Sequence, residues 1–320
     1  MRCLTLANIF KEKKYSVYFI INEFDESSLK ILKKNGYKTY SIKNKNIKLT
    51  KVQDAELTKD LIIKKKIELP YLIVDNYHID KKWEGILKNN VYKIIVIDDM
   101  TDRRHNCDLL INQNYSIKDQ KKRYSKLIPK TCKLLIGTKF AILRPEFLRL
   151  RKMSKTRKIL SRILISFGGT DPTNETIKVL KAFQNLKLKK LKIIVIAGNS
   201  NSNKEKIKKL SKQIMNAKFY SHSEKIGKLM VKSDLAIGGA GTTTWERCCL
   251  GLPSIISILS TDQKQIGESL SKINCVKNIG FGKKLLTKDY EIAIQTFDVQ
   301  TLKKMSKNCK KLVDGKGANR

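Results

Sequence analysis

The 320-residue chain reads as an α/β protein built from two doubly wound halves, each a parallel sheet with helices on both faces. Three observations predict this. Strand-like and helix-like segments alternate through most of the chain. A basic stretch without apolar periodicity, RLRKMSKTRK at 149–158, interrupts the alternation, which then starts afresh. Two strands of the second half run straight into glycine-rich turns, ISFGGTDPTN and AIGGAGTTT.

The elements follow in order. Cys3, Leu6, Ala7 and Phe10 fall at i, i+3, i+4 and i+7 and form one apolar helical stripe. YSVYFII (15–21) is β-branched and aromatic and reads as a strand. A helix at 26–34, a strand at 37–42, a helix at 54–66, the strand YLIVD (71–75), a helix at 81–89 and the strand YKIIVID (92–98) succeed it. LLIN (109–112) and KLLIG (133–137) are further short apolar runs. Residues 1–148 thus form one domain, 149–158 a linker and 159–320 a second domain, with a cleft between the halves as the expected ligand site. The second domain runs through ILISFGG (163–169), a helix at 175–185, KIIVIAG (192–198), a helix at 204–215, a strand at 217–220 and a helix at 224–232. DLAIGG (234–239), a helix from about 243, PSIISI (253–258) and a helix at 301–313 complete it.

Composition excludes several classes. The net charge of +38 invites a nucleic-acid partner, but lysine supplies most of it and is spread over nearly every helix face, as in KILKKNG and IIKKKIE. Arginine, the residue of bidentate phosphate contacts, is scarce. We therefore expect solvated lysine faces, no nucleic-acid partner and a modest pull on anionic substrates. No apolar run approaches the ~20 residues that cross a bilayer, and Lys11, Glu12, Lys13 and Lys14 interrupt any signal-peptide core. Seven cysteines without regular spacing read as reduced thiols, so no membrane partner and a cytoplasmic location are expected. No His/Cys spacing resembles a zinc site, and no cofactor is called for.

The chemistry concentrates in the two glycine turns. In the first, Gly168 and Gly169 permit close backbone approach, and Thr170 and Asp171 lead to a helix N-terminus suited to phosphate. The competing reading is a plain strand-to-helix turn capped by Asn174. In the second, Gly239, Ala240 and Gly241 precede Thr242 and Thr243, and the helix closes at Gly251 and Pro253. Thr243-x-x-Glu246 has the spacing of a capping box, a structural use for Glu246. The alternative is a carboxylate that accepts hydrogen bonds from ribose hydroxyls while the small loop holds a diphosphate. Neither turn matches the spacing of a Walker loop or a dinucleotide fingerprint.

VDNYHID, IDD, CDLLINQN, KFAILRPEF, ISFGGTDPTN, AIGGAGTTTWERCCLGLPS and the terminal DGKGA occur in this order. In that set the chain resembles the UDP-2,4-diacetamido-2,4,6-trideoxy-β-L-altropyranose hydrolases of pseudaminic acid biosynthesis. The resemblance implies a GT-B-like fold of two Rossmann-type domains, with UDP held by the C-terminal one. It also implies metal-independent attack of water at the sugar C1, UDP leaving, and free sugar passing to nonulosonic acid synthesis. It further implies a strand and a G-x-G-H loop ahead of the first helix, whose histidine is the general base. These 320 residues start at that helix, so the resemblance predicts an N-terminally short form, from a late-assigned start or a fragment, lacking its base and a central strand.

Of the three histidines, His78, after the strand 71–75, is a candidate substitute base, with a structural role as the alternative. His105 and His222 read as surface or loop residues. By the resemblance, Tyr77 lines the sugar site. Arg144 either reaches the sugar or diphosphate or pairs with Glu146. Asp262 and Gln263 stand at the sugar end, where the family carries Asn-Gln. Asp98 and Asp99 end a strand, and the first reads as structural. Alternatives to the hydrolase are a GT-B glycosyltransferase and a UDP-sugar-binding remnant without turnover.

Overall fold

The computed structural model describes residues 1–22, 26–42, 49–68, 71–188, 190–221 and 225–320, so His222 lies outside the described residues. The chain forms two compact units. Residues Met1–Asn114, Lys118–Ile142 and Ala318–Arg320 make the first, and Tyr115–Ile117 and Leu143–Gly317 the second.

The first unit contains α1 (Arg2–Glu12), β1 (Tyr18–Asn22), α2 (Glu26–Lys34), β2 (Lys38–Ile42), α3 (Lys51–Lys64), β3 (Tyr71–Val74), α4 (Lys81–Leu87), β4 (Lys93–Ile97), β5 (Leu109–Asn112), α5 (Gln120–Tyr124) and β6 (Lys133–Ile136). All its strands are parallel, in two separate sheets, β1-β2 and β3-β4-β5-β6. Helix α3 starts three residues before the expected 54 because Thr50 and Gln53 cap it reciprocally. The Thr50 Oγ1 accepts the Gln53 N–H at 3.3 Å, and the Gln53 Oε1 accepts the Thr50 N–H at 3.0 Å. Trp83, Leu87, Ile94, Val96, Leu110 and Tyr124 form its core. Strand β4 is buried as its apolar run requires, whereas the equally apolar Val17–Ile21 segment has no fully buried side chain.

The second unit contains α6 (Pro145–Met153), β7 (Arg162–Ser166), α7 (Glu175–Leu186), β8 (Lys192–Ile196), α8 (Lys204–Lys212), β9 (Ala217–Tyr220), α9 (Ile226–Lys232), β10 (Leu235–Gly239), α10 (Thr243–Cys249), β11 (Ser254–Ile258), α11 (Lys264–Lys272), β12 (Lys277–Phe281), α12 (Thr287–Gln295) and α13 (Val299–Leu312). Its six-stranded parallel sheet has the order β9-β8-β7-β10-β11-β12. Connections leave to one side after β7 and return to the other at β10, so the sheet has a switch point between these two strands, where open α/β sheets bind ligands.

The stretch 149–158 lies inside this unit. Two of its three arginines, Arg151 and Arg157, serve as internal struts. Arg151 donates to the carbonyls of Cys249 (2.7 Å), Val313 (2.9 Å) and Lys310 (2.7 Å). Arg157, 5% exposed, donates to those of Met230, Ser233, Lys155, Leu250 and Gly251. Carbonyl-bound guanidinium groups leave no apolar period to read.

Candidate functional site

Both glycine turns lie at the carboxyl ends of paired strands, since Ser166 of β7 is in register with Gly238 of β10. After β7 the chain turns at Gly168, φ 86°, and Gly168, Gly169 and Thr170 are exposed. Asp171 has a different place from the one expected of a ligand-binding residue. It is 3% exposed, and its carboxylate accepts the N–H groups of Glu175 (2.9 Å) and Thr176 (2.9 Å). Asp171 therefore caps α7, Asn174 makes no side-chain cap bond, and those amides are not open to a phosphate. Asn174 instead adopts a left-handed conformation, φ 57°.

The second turn is braced from beneath. Ala240 is fully buried, and its N–H donates to the carbonyl of Ser257 and to the Gln263 Oε1 at 3.2 Å. The same oxygen accepts the Leu259 N–H at 3.1 Å. Gln263 thus ties the β10–α10 turn to the β11–α11 turn, with its amide nitrogen beside Gly241. Asp262, its neighbour, is exposed.

The expected Thr243–Glu246 capping box does not form. Thr243 is already the first helical residue, and no side-chain cap bond is made at Thr242. Glu246 instead faces Arg144, whose Nη2 lies 3.4 Å from its Oε1, while Nη1 lies 2.8 Å from the Glu146 Oε1. Arg144 therefore pairs with both glutamates. Burial pushes the Glu246 carboxyl above its ordinary range, and the Arg144 charge opposes this.

A residue that sequence reasoning passed over completes the site. Arg247, 3% exposed, runs under the turn, and its Nη2 donates to the Gly239 carbonyl at 2.6 Å and to the Thr244 Oγ1 at 2.8 Å. Among the described residues no carboxylate forms a salt bridge with it, and its Nε has no hydrogen-bond partner. Burial lowers its pKa to about 10, so it remains a cation at neutral pH. A Cβ on Gly238 would stand 2.6 Å from the Arg247 Nη1 and 2.3 Å from the Ser166 carbonyl oxygen, so only glycine fits. The available signal was an arginine flanked by Trp245, Cys248 and Cys249 in a helix otherwise destined for the core.

In the first unit a second polar cluster sits past the ends of β3 and β4. Arg2 bridges Asp75 (2.6 Å) and Asp99 (2.9 Å), and the Cys3 Sγ lies 3.5 Å from Asp75. Burial and the Asp99 carboxylate raise the Tyr77 phenol, which stays protonated. His78 is exposed, with its N–H held by the Asn76 Oδ1 at 2.8 Å. His105 lies in a loop, one of the two placements expected of it, but is buried there and not at the surface. It is 4% exposed, with Nδ1 2.6 Å from the buried Glu84 carboxylate. Asp98 is fully buried and accepts from Tyr124 at 2.8 Å and Thr101 at 3.1 Å, a structural role as expected.

Among the described residues no group of three or more His, Cys, Asp or Glu side chains is placed to hold a metal ion. No helix among them is long and apolar enough to cross a membrane. All seven cysteines are free thiols.

These features define a GT-B-like α/β protein, and comparison with known proteins agrees. Residues 163–280, which carry both glycine turns, match the glycosyltransferase family 28 C-terminal domain. MurG of Acinetobacter baumannii shares the fold at a TM-score of 0.69 and 12% identity, over 99% of this chain and 92% of that one. In sequence the chain is 33% identical over 193 residues to the UDP-2,4-diacetamido-2,4,6-trideoxy-β-L-altropyranose hydrolase of Campylobacter jejuni, which spans 60% of this chain and 66% of that protein. It is 26% identical over 262 residues to an uncharacterized protein of Methanocaldococcus jannaschii, spanning 80% of this chain and 51% of that one. The chain thus covers between half and two thirds of the length of these relatives.

Proposed function

We propose that the chain binds a UDP-sugar and hydrolyses it at the sugar C1, releasing UDP and a free 2,4-diacetamido-2,4,6-trideoxy sugar for nonulosonic acid synthesis. The observation that carries the reading is the placement of two glycine turns at the β7/β10 switch point above the buried, carboxylate-free guanidinium of Arg247. A diphosphate requires close backbone donors and a positive field, and a desolvated cation acts on it more strongly than a surface lysine does. In this reading Gly168, Gly169, Thr170, Gly239, Gly241, Thr242 and Thr243 surround the diphosphate, while the buried Ala240, its N–H held by Ser257 and Gln263, supports the second turn from beneath. Glu246 accepts the ribose hydroxyls, which frees Arg144 to pair with phosphate. Asp171 acts only through the shape of the first turn, and Asp262 has no part in holding the nucleotide.

In the hydrolysis the oxygen of water bonds to C1, the C1–O bond to the diphosphate breaks, and UDP departs with that electron pair. Water needs a base for its proton. Tyr77, kept protonated, suits hydrogen-bond donation to the sugar, and His78 is the candidate proton acceptor. The free thiols agree with a reducing, cytoplasmic setting. The family 28 match supports a second reading, transfer of the sugar to an acceptor. The test is incubation with the UDP-sugar alone, following UDP by chromatography and the sugar by proton NMR. Equal release of UDP and reducing sugar supports hydrolysis. UDP release only with an added acceptor supports transfer. Calorimetric UDP binding without turnover would leave a binding protein.

A further inference from the structure

Two thiols of the first unit meet where the chain enters adjacent parallel strands. Cys107 stands two residues before β5 and Cys132 immediately before β6, and their Sγ atoms lie 3.6 Å apart. The backbone around them is held at several points. The Asp108 N–H donates to the Ile94 carbonyl at 2.9 Å, and the Lys133 N–H to the Asp108 carbonyl at 2.8 Å. The His105 N–H donates to the Leu127 carbonyl at 2.7 Å, and the Cys132 N–H to the Pro129 carbonyl at 3.0 Å. Bonded sulfurs stand about 2.05 Å apart, so closure asks for an approach of roughly 1.5 Å, the scale of a side-chain rotation. Two reactants held in this way have already lost the freedom that a bimolecular reaction would take from them.

The two thiols differ in access and acidity. Cys107 is 2% exposed, whereas Cys132 is half-buried between the exposed Thr131 and Lys133. Cys107, as the donor in their contact, holds the Cys132 thiol below its ordinary range, against burial and the charges of Asp108 and Glu84. The same contact and burial raise Cys107. No other cysteine combines access with such a partner. Cys3 and Cys249 are pushed up to about 12, chiefly by burial, and Cys248, Cys275 and Cys309 are buried. The thiolate is the attacking form, so Cys132 is the thiol that meets a solute first. Lys130 and Lys133 are exposed on either side of it, and the net charge of +38 favours an anionic one.

We propose that Cys107 and Cys132 form a dithiol site that reacts with an anionic low-molecular-mass disulfide, of the glutathione class, and is oxidised by it to an internal disulfide. The Cys132 thiolate attacks one sulfur of the solute, the S–S bond of the solute breaks, and one thiolate leaves. A mixed disulfide then stands on Cys132. Cys107 gives up its proton, attacks the Cys132 sulfur and expels the second thiolate. The protein loses two electrons and two protons, and the solute is reduced to two thiols. An accessible, acidified thiol beside a buried resolving thiol is the arrangement of a redox-sensing pair. The new bond closes a loop through β5 and α5 and ties the starts of β5 and β6 together. Excess reduced thiol reverses it by the same steps.

The test treats the full chain with oxidised glutathione in the absence of nucleotide, so its outcome is independent of the UDP-sugar reading. At intervals the remaining thiols are alkylated in denaturant, and tryptic peptides are identified by mass. A link between peptides 105–118 and 131–133 of one chain is expected. It should form at least tenfold faster than any other thiol is lost, and dithiothreitol should reverse it. Cys107→Ala should stop at one glutathione on Cys132, and Cys132→Ala should leave Cys107 unmodified over the same interval. A lasting glutathione on Cys132 of the unsubstituted chain would overturn the proposal, because Cys107 would then not resolve it. So would a link between two chains on a non-reducing gel, or no loss of either thiol. Loss of all seven thiols at one rate would mark reaction through unfolding and overturn it too.

Discussion

The Arg247 guanidinium lies 2.6 Å from the carbonyl oxygen of Gly239, so the backbone of the second glycine turn rests directly on a buried positive charge. Leaving a cation buried without a carboxylate costs several kcal/mol in stability. The fold retains it beneath the turn that the proposed diphosphate would touch.

Replacing it therefore separates stability from binding. Arg247→Met is expected to weaken UDP binding by tenfold or more by calorimetry, while the thermal midpoint stays level or rises. A fall in midpoint with unchanged affinity would make the arginine a structural strut.

Glu246 predicts a pH effect of definite sign. Burial raises its folded pKa above the unfolded value of about 4.3, so the native state holds the proton more tightly. Its ionised form opposes folding above the folded pKa, and that penalty fades as pH falls through the folded value toward the unfolded one. Glu246→Gln should accordingly be the more stable protein at pH 7.5, with the gap in midpoint closing by about pH 4. The same variant should bind UDP about tenfold more weakly, through the lost ribose contact. A gap that widens on acidification would contradict the assignment.

The cap at α7 predicts the opposite separation. Asp171→Ala strands two buried amide donors and should cost about 1–2 kcal/mol by urea denaturation. UDP affinity measured below the unfolding range should change by less than threefold, because the carboxylate is not available to ligand.

In the first unit, His105→Ala leaves the fully buried Glu84 carboxylate without its imidazole. A loss of about 3 kcal/mol is expected, and Glu84→Gln in the same background should recover part of it. Denaturation of the single and double variants checks this, and full additivity of the two changes would show that the pair is not coupled.

Much of the fold is legible because buried parallel strands are unbroken β-branched runs. ILIS, KIIVI and KIIVI again stand out against lysine-rich helices, and the switch point follows from where the glycines fall. Elements whose signal is polar stay hidden. β12, Lys277–Phe281, holds Asn278 and Gly280 and has no apolar run. α6 hides behind Arg149, Arg151 and Lys152, although Pro145 at its first turn marks the start. At the site, residue types and spacing locate Gly168, Gly169 and Gly239–Gly241, but they do not settle hydrogen-bond partners. Asp171 and Glu246 each fit a capping role and a ligand role; in the structure Asp171 caps α7, and Glu246, whose spacing favours a cap, pairs with Arg144 instead. Arg247 and Arg2 are missed because a buried cation has no periodicity; only its carbonyl and carboxylate partners, distant in sequence, identify it.

Seven of the eight carbonyls held by Arg151 and Arg157 lie beyond residue 159 and also locate a domain for dissection. A fragment cut at residue 159, where composition suggests the second half begins, would discard both guanidinium groups and strand these acceptors at the seam of α9, α10 and α13. A fragment begun at Leu143 keeps them. Expressed separately, the longer piece should be the one that resists trypsin, even with its lysine-rich surface.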